Sequence, residues 1–188
     1  MPSAHTANSP ADLGALDMEI LARQNDAALA QTKAYEIKFI LNTKVILALK
    51  PSENPFHWNS IRFGKNEIQD VPNDQRGLYA FIIADQRNFL PPHGYIMYIG
   101  IAGRNSDRSL RDRYEDYFKQ SEVERRPALK RMIVNWHSML RFHFAPVDDS
   151  VPSAELKAME KRLITAFLPP CCKYDIEADT MAMKAAFL

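Results

Sequence analysis

The sequence predicts an α/β fold: a small central antiparallel sheet of about three strands flanked by helices, preceded by an N-terminal helical extension. Three observations carry that expectation. Two strand-like runs, GLYAFIIA from Gly77 and GYIMYIG from Gly94, are separated by a stretch whose Pro91-Pro92 marks a loop, so a hairpin is the simplest connection. A third run, Leu140 to Val147, sets Leu140, Phe142 and Phe144 against Arg141 and His143, the alternation of a half-buried strand. Helix start and stop signals fill the intervals between and after these runs.

Taken in order, Met1 to Pro10 is polar, small and without periodicity, as expected of a frayed terminus. From Ala11 to about Lys33 apolar residues recur at helical spacing (Leu13, Leu16, Ile20, Leu21, Ala28, Leu29), which predicts an amphipathic helix. Ile37 to Leu49 suits either a strand or a helix, and its spaced lysines favour the helix. Pro51 to Gln75, with Pro51, Pro55 and Pro72 among many polar residues, predicts a loop-rich connector. After the hairpin, IAGRNSDRS is turn-like, and Ser109 or Asp107 is placed to cap a helix running to about Gln120. Pro127 suits the first turn of a further helix to roughly Trp136, with Ala128, Leu129, Met132 and Ile133 on its apolar face. Ser153 is placed to cap a last helix that Pro169-Pro170 stops after Leu168. The expected division is therefore an extension and connector over residues 1–75 and a domain over 76–188.

With 188 residues and 46% hydrophobic content, the chain is long enough to bury one sizeable core. A net charge of +1 means that any polyanion site must arise from local arrangement rather than from global charge. The only cysteines, Cys171 and Cys172, are adjacent, where a disulfide would close a strained ring, so a reducing cytoplasmic setting is expected. No signal-like or membrane-spanning apolar run is expected, since Ile37 to Leu49 is short and carries Lys38 and Lys44.

If the hairpin forms, Tyr79 and Tyr98 lie on neighbouring strands and present their phenols to one face, register permitting. Arg113 and Tyr117 are four residues apart and share a helix face. The order Gly77-Leu78-Tyr79, Tyr98-Ile99-Gly100, LRDRYEDYF (Leu110 to Phe118) and then Glu160 resembles the GIY-YIG nuclease family, found in homing endonucleases, restriction enzymes and the N-terminal domain of an excision-repair nuclease. The match runs from about Gly77 to Cys172.

That resemblance implies a metal-dependent endonuclease hydrolysing DNA phosphodiester bonds, with DNA as partner, no membrane, and a homodimer as one route to cutting both strands. It implies Tyr79 as general base or water-orienting phenol, Tyr98 as a phenol positioning the water, Arg113 as the catalytic arginine and Tyr117 as its helix companion. Glu160 is implied as both catalytic and metal-binding, holding Mg²⁺ (or Mn²⁺). A hard carboxylate suits Mg²⁺, which keeps most of its waters, and the planar charged fork of arginine suits phosphate oxygens. Gly100 is expected where backbone must approach another segment. Arg108 and Arg111 are candidates for neighbouring phosphates. The runs Arg125-Arg126 and Lys130-Arg131 are expected to form a solvated helix face, with phosphate contact the alternative. Two departures stand out. The intervals from Tyr79 to Tyr98 and from Tyr98 to Arg113 exceed those of compact members, and Cys172, with Lys173 beside it, occupies the place where the family has an Asn. The second reading follows from that replacement: a catalytically weakened scaffold acting as a nucleic-acid-binding or protein-interaction module.

Overall fold

The computed structural model describes residues 26, 27, 30, 31, 33, 35–50, 56–84, 91–103 and 107–172. The chain divides into two compact units, residues 1–37 and 38–188. In the first, Asp26, Ala27, Ala30, Gln31, Lys33 and Tyr35 are helical; the rest of the helix expected from Ala11 lies outside the described residues.

The second unit holds the sheet. Its first helix, α1 (Thr43–Ala48), starts six residues later than Ile37 because Asn42 supplies the cap, its side chain accepting from Val45 N at 3.2 Å. The segment expected to be an unstructured connector instead contributes a short strand, β1 (Asn59–Arg62), and a 3-10 turn, Lys65–Asp70. Three of the four β1 residues are exposed and only Ile61 is half-buried, so no hydrophobic alternation betrays the strand in sequence. The sheet therefore has four strands. With β2 (Gly77–Ile83), β3 (Tyr95–Ala102) and β4 (Leu140–Pro146) the order is β1-β4-β2-β3, antiparallel throughout.

Register sorts the two faces. Tyr79 stands opposite Gly100 on β3 and Phe144 on β4, while Phe81 stands opposite Tyr98 and Phe142, so these side chains share one face. Helix α2 (Leu110–Asp116) covers that aromatic face; the Tyr114 ring lies 4.5 Å from Phe142, and the Tyr117 ring, just past the helix end, lies 4.6 Å from Phe81. The opposite face, with Leu78, Ala80, Ile99 and Ile101, packs against Leu156, Leu163 and Ile164 of α5 (Ser153–Phe167). Ser153 is the first residue of α5 rather than its cap, and its hydroxyl accepts from Arg76 Nη1 at 3.0 Å.

Helix α2 is shorter than expected but firmly started. Ser109 Oγ accepts from Asp112 N at 3.1 Å while Asp112 Oδ2 accepts from Ser109 N at 2.8 Å, a reciprocal cap. After a turn at Tyr117-Phe118 come α3 (Gln120–Glu124) and α4 (Pro127–Trp136), with Pro127 at the first position as the sequence predicts. Helix α5 ends at Leu168, which takes left-handed backbone (φ 42) and donates its N–H to Ile164 O at 2.8 Å. A non-glycine residue there costs about 1–2 kcal/mol, and full burial of the Leu168 side chain offsets it.

The reversal sends residues 169–172 back along the outer edge of β3. Cys171 N donates to Met97 O at 2.9 Å; Ile99 N donates to Cys172 Sγ at 3.4 Å, and that thiol donates to Ile99 O at 3.5 Å. Among the described residues no helix is long and apolar enough to cross a membrane.

Tyr114 ties α2 to the chain leaving β1: its hydroxyl accepts from Gly64 N at 2.9 Å, with Gly64 O at 2.9 Å as acceptor of its own proton. Tyr114→Phe keeps the ring and leaves those backbone groups without it. Urea unfolding should therefore show a loss of about 1–3 kcal/mol; a loss below 0.5 kcal/mol would mean that the hydroxyl anchors nothing.

Candidate active site

A cleft of about 450 Å³ opens across the outer edge of β3 and gathers Tyr79, Tyr98, Arg113 and Glu160 with Arg125, Arg126, Cys171 and Cys172. Because β3 is the last strand of the sheet, a carboxylate from α5 behind the sheet can meet phenols in front of it around that edge. Of the five residues given catalytic roles by the resemblance, four line this cleft. The fifth, Tyr117, lies buried behind Tyr79 and holds its hydroxyl at 2.9 Å.

Gly100 makes the arrangement sterically possible. A Cβ added there would fall 2.6 Å from both Cζ and the hydroxyl oxygen of Tyr79 and 2.9 Å from Cε1 of Tyr98. The close approach expected of this glycine is thus a phenol laid across the neighbouring strand. Tyr98 lies diagonally across from Tyr79, with ring centroids 6.0 Å apart.

All three phenols resist ionisation. Burial, then the neighbouring Tyr117, pushes Tyr79 well above its ordinary value. The adjacent Tyr79 and then burial do the same to Tyr98, and burial first to Tyr117. Arg113 pulls Tyr79 the other way without offsetting burial. At neutral pH these groups are protonated hydrogen-bonding hydroxyls.

Arg113 is positioned by Asp116, with Nη1 to Oδ2 at 3.7 Å. Asp116 is nearly buried, and burial alone would raise its pKa; contacts from Arg108 at 2.6 Å and Lys119 at 3.1 Å outweigh that and keep it ionised. Arg108, given to a neighbouring phosphate by the resemblance, is thereby directed toward this carboxylate. Arg111 points elsewhere too: it donates to Val71 O at 2.7 Å, Gln69 O at 3.0 Å and Gln69 Oε1 at 3.2 Å, clamping α2 to the connector. Neither side chain lines the cleft. The reciprocal roles of Arg111 and Arg113, two residues apart on one helix, depend on which face meets the sheet.

Arg125 and Arg126 do line it, in a turn rather than on a solvated helix face. The sequence signal was present in the basic pair followed by proline, but only the packing of α4 brings it to the cleft. Asp116, which reasoning from sequence passed over, had a signal as well, being three residues from both Arg113 and Lys119.

Glu160 is almost completely buried on α5 and reaches the cleft. Among the described residues no three His, Cys, Asp or Glu side chains cluster as metal ligands. A lone carboxylate does not make an all-protein cage, but it does match Mg²⁺, which retains waters and takes one or two carboxylates together with substrate phosphate. Cys172 lies at the cleft wall, bonded to both backbone groups of Ile99. Lys173 lies outside the described residues. No family model, curated protein or solved structure matches this chain.

The burial of the phenols has a measurable consequence. Their folded-state pKa values lie above the unfolded value of about 10, so the folded state holds protons that the unfolded chain releases. Their contribution to stability is present below pH about 10 and is lost as pH rises beyond it. Ultraviolet titration of the folded chain should leave at least Tyr79, Tyr98 and Tyr117 un-ionised until alkaline unfolding releases them, with Tyr114 pushed up to about 12. Seven reversible ionisations near pH 10 in the folded state would contradict the buried cluster.

Proposed function

We propose that this chain is a metal-dependent endonuclease that hydrolyses DNA phosphodiester bonds in the manner of the GIY-YIG enzymes it resembles. The observation that carries the reading is the convergence of Tyr79, Tyr98, Arg113 and Glu160, from two strands and two helices, on one cleft. Hydrolysis of a phosphodiester needs an oriented water and neutralisation of charge on the phosphoryl oxygens. Arg113, held by Asp116, presents its guanidinium to those oxygens.

Tyr79 orients the water. Its raised pKa argues against resting phenolate and so favours the water-orienting role over that of general base. Tyr117 fixes the Tyr79 hydroxyl, and Tyr98 borders the same space. Glu160 is the residue that would hold Mg²⁺ or Mn²⁺, and the ion supplies Lewis-acid polarisation of a phosphoryl oxygen when bound.

The weakened-scaffold reading turns on Cys172. The thiol accepts from Ile99 N and donates to Ile99 O, the pair of bonds that an amide side chain also makes, with weaker sulfur geometry. The place usually held by Asn thus keeps a hydrogen-bonding role in this chain.

Plasmid nicking in Mg²⁺, abolished by chelator, is the decisive assay; a gel shift without cleavage would favour the nucleic-acid-binding module. Glu160→Gln should eliminate nicking with little change in melting temperature, and parental activity in that variant would remove Glu160 from the site. Arg113→Ala should slow cleavage by at least ~10²-fold, the scale of losing one positioned electrostatic stabiliser. Arg111→Ala should instead lower stability more than rate, and the reverse pattern would exchange their roles. Cys172→Asn should raise cleavage several-fold, measured as single-turnover rate; an unchanged rate would show that the thiol already performs the position's task in full.

A further inference from the structure

The hydrolytic roles of Tyr79, Tyr98, Arg113 and Glu160 leave Arg125 and Arg126 without a task, although both line the same cleft. Among the described residues their acidic partner is Glu122: Arg125 Nη2 pairs with its Oε1, and Arg126 Nη2 stands 3.6 Å from Oε2. One carboxylate serves two guanidinium groups, so this wall carries uncompensated positive charge. Arg125 Nε also donates to Ser121 O at 3.1 Å, which fixes the side chain's base.

Arg126 is set deeper, about one-third exposed, and lines the cleft together with Tyr79 and Tyr98. Arg113 reaches the cleft from α2, whereas Arg125 and Arg126 precede α4. Arginines from two separate elements therefore border one cleft. The excess is local: the cleft lining holds Arg113, Arg125 and Arg126 against the single carboxylate Glu160, in a chain of net charge +1.

We infer that Arg125 and Arg126 form a second phosphate subsite, taking the phosphate next to the one at Arg113 in a nucleic-acid strand. The inference rests on the phosphodiesterase reading and narrows it: the substrate is a strand gripped at more than one phosphate, not an isolated phosphodiester. An arginine pair suits this task because guanidinium is always charged and donates in a fork matched to phosphate oxygens, and the absence of base-edge selectivity in such contacts makes the grip independent of sequence.

Equilibrium binding separates the possibilities. Fluorescence anisotropy of the full chain with a labelled single-stranded oligodeoxynucleotide, in chelator to prevent cleavage, gives log Kd against log salt. The double variant Arg125→Gln, Arg126→Gln should have a slope shallower by about 0.7, the value for one phosphate lost on a single strand. Lysine at both positions should restore most of the slope, and Lys157→Gln, exposed on α5 and outside the cleft, should leave it at the parental value. Melting temperature of each variant reports whether the fold is intact. An unchanged slope in the double glutamine variant would overturn the subsite while leaving the phosphodiesterase reading standing. No binding by the parental chain at low salt would overturn both.

Discussion

The hydrogen bond between the hydroxyls of Tyr79 and Tyr117, 2.9 Å and buried, is the contact on which the geometry of the cleft depends. It joins the centre of the sheet to the end of α2 and so fixes where Arg113, one helical turn earlier, projects. Its net worth is about 1 kcal/mol, but leaving either hydroxyl buried without a partner costs about 1–3 kcal/mol, so the two are better described as mutually required. Gly100 is the steric counterpart. With no Cβ it lets the phenol lie flat across β3, and the ring packing around it (Phe81, Phe142, Tyr98) leaves the phenol little room to reorient.

Electrostatics around Arg113 is organised by one carboxylate rather than by the cations it serves. Asp116, nearly buried, gathers Arg108, Lys119 and Arg113 and holds each guanidinium or ammonium in one direction. Exposed pairs of this kind contribute little singly; the burial of Asp116 and its shared partners make the arrangement a positioning device. Of these cations only Arg113 lines the cleft, where Arg125 and Arg126 join it opposite the one carboxylate of the lining, Glu160.

The edge of β3 explains why the site can exist where it does. An exposed strand edge offers unpaired backbone groups to other chains, and here the return of residues 169–172 covers Met97 and Ile99 while leaving the stretch toward Ile101 bordering the cleft. The left-handed turn at Leu168 is what directs the chain back, at a backbone cost offset by that residue's burial. The thiol of Cys172 completes the seal, so its chemistry bears on the shape of the cleft and not only on its wall.

Much of this was legible in the sequence. The strand pair, the third strand, Pro127 opening a helix and Pro169-Pro170 closing one all follow from local rules of periodicity, backbone restriction and turn chemistry, which act over a few residues. So did the pairing of Tyr79 with Tyr98 on one face, since alternation along a hairpin fixes it once the register is given. Tertiary structure alone decided the rest. β1 is an edge strand with one partner, and an edge strand needs no alternating apolar face, so Asn59 to Arg62 carried no signal. The Ser109 cap used Asp112 where the usual pattern has Glu or Gln. Arg111 and Arg113 are chemically alike, and only the packing of α2 on the sheet directs one to the connector and the other to the cleft. Arg125 and Arg126 became cleft residues because the turn before α4 meets the edge of β3. Chain-local physics specifies which elements form, which faces are apolar and the close pairs around Asp116; which side chains meet across elements depends on contacts such as Tyr79–Tyr117 and Ile99–Cys172, 38 and 73 positions apart, which no local pattern encodes.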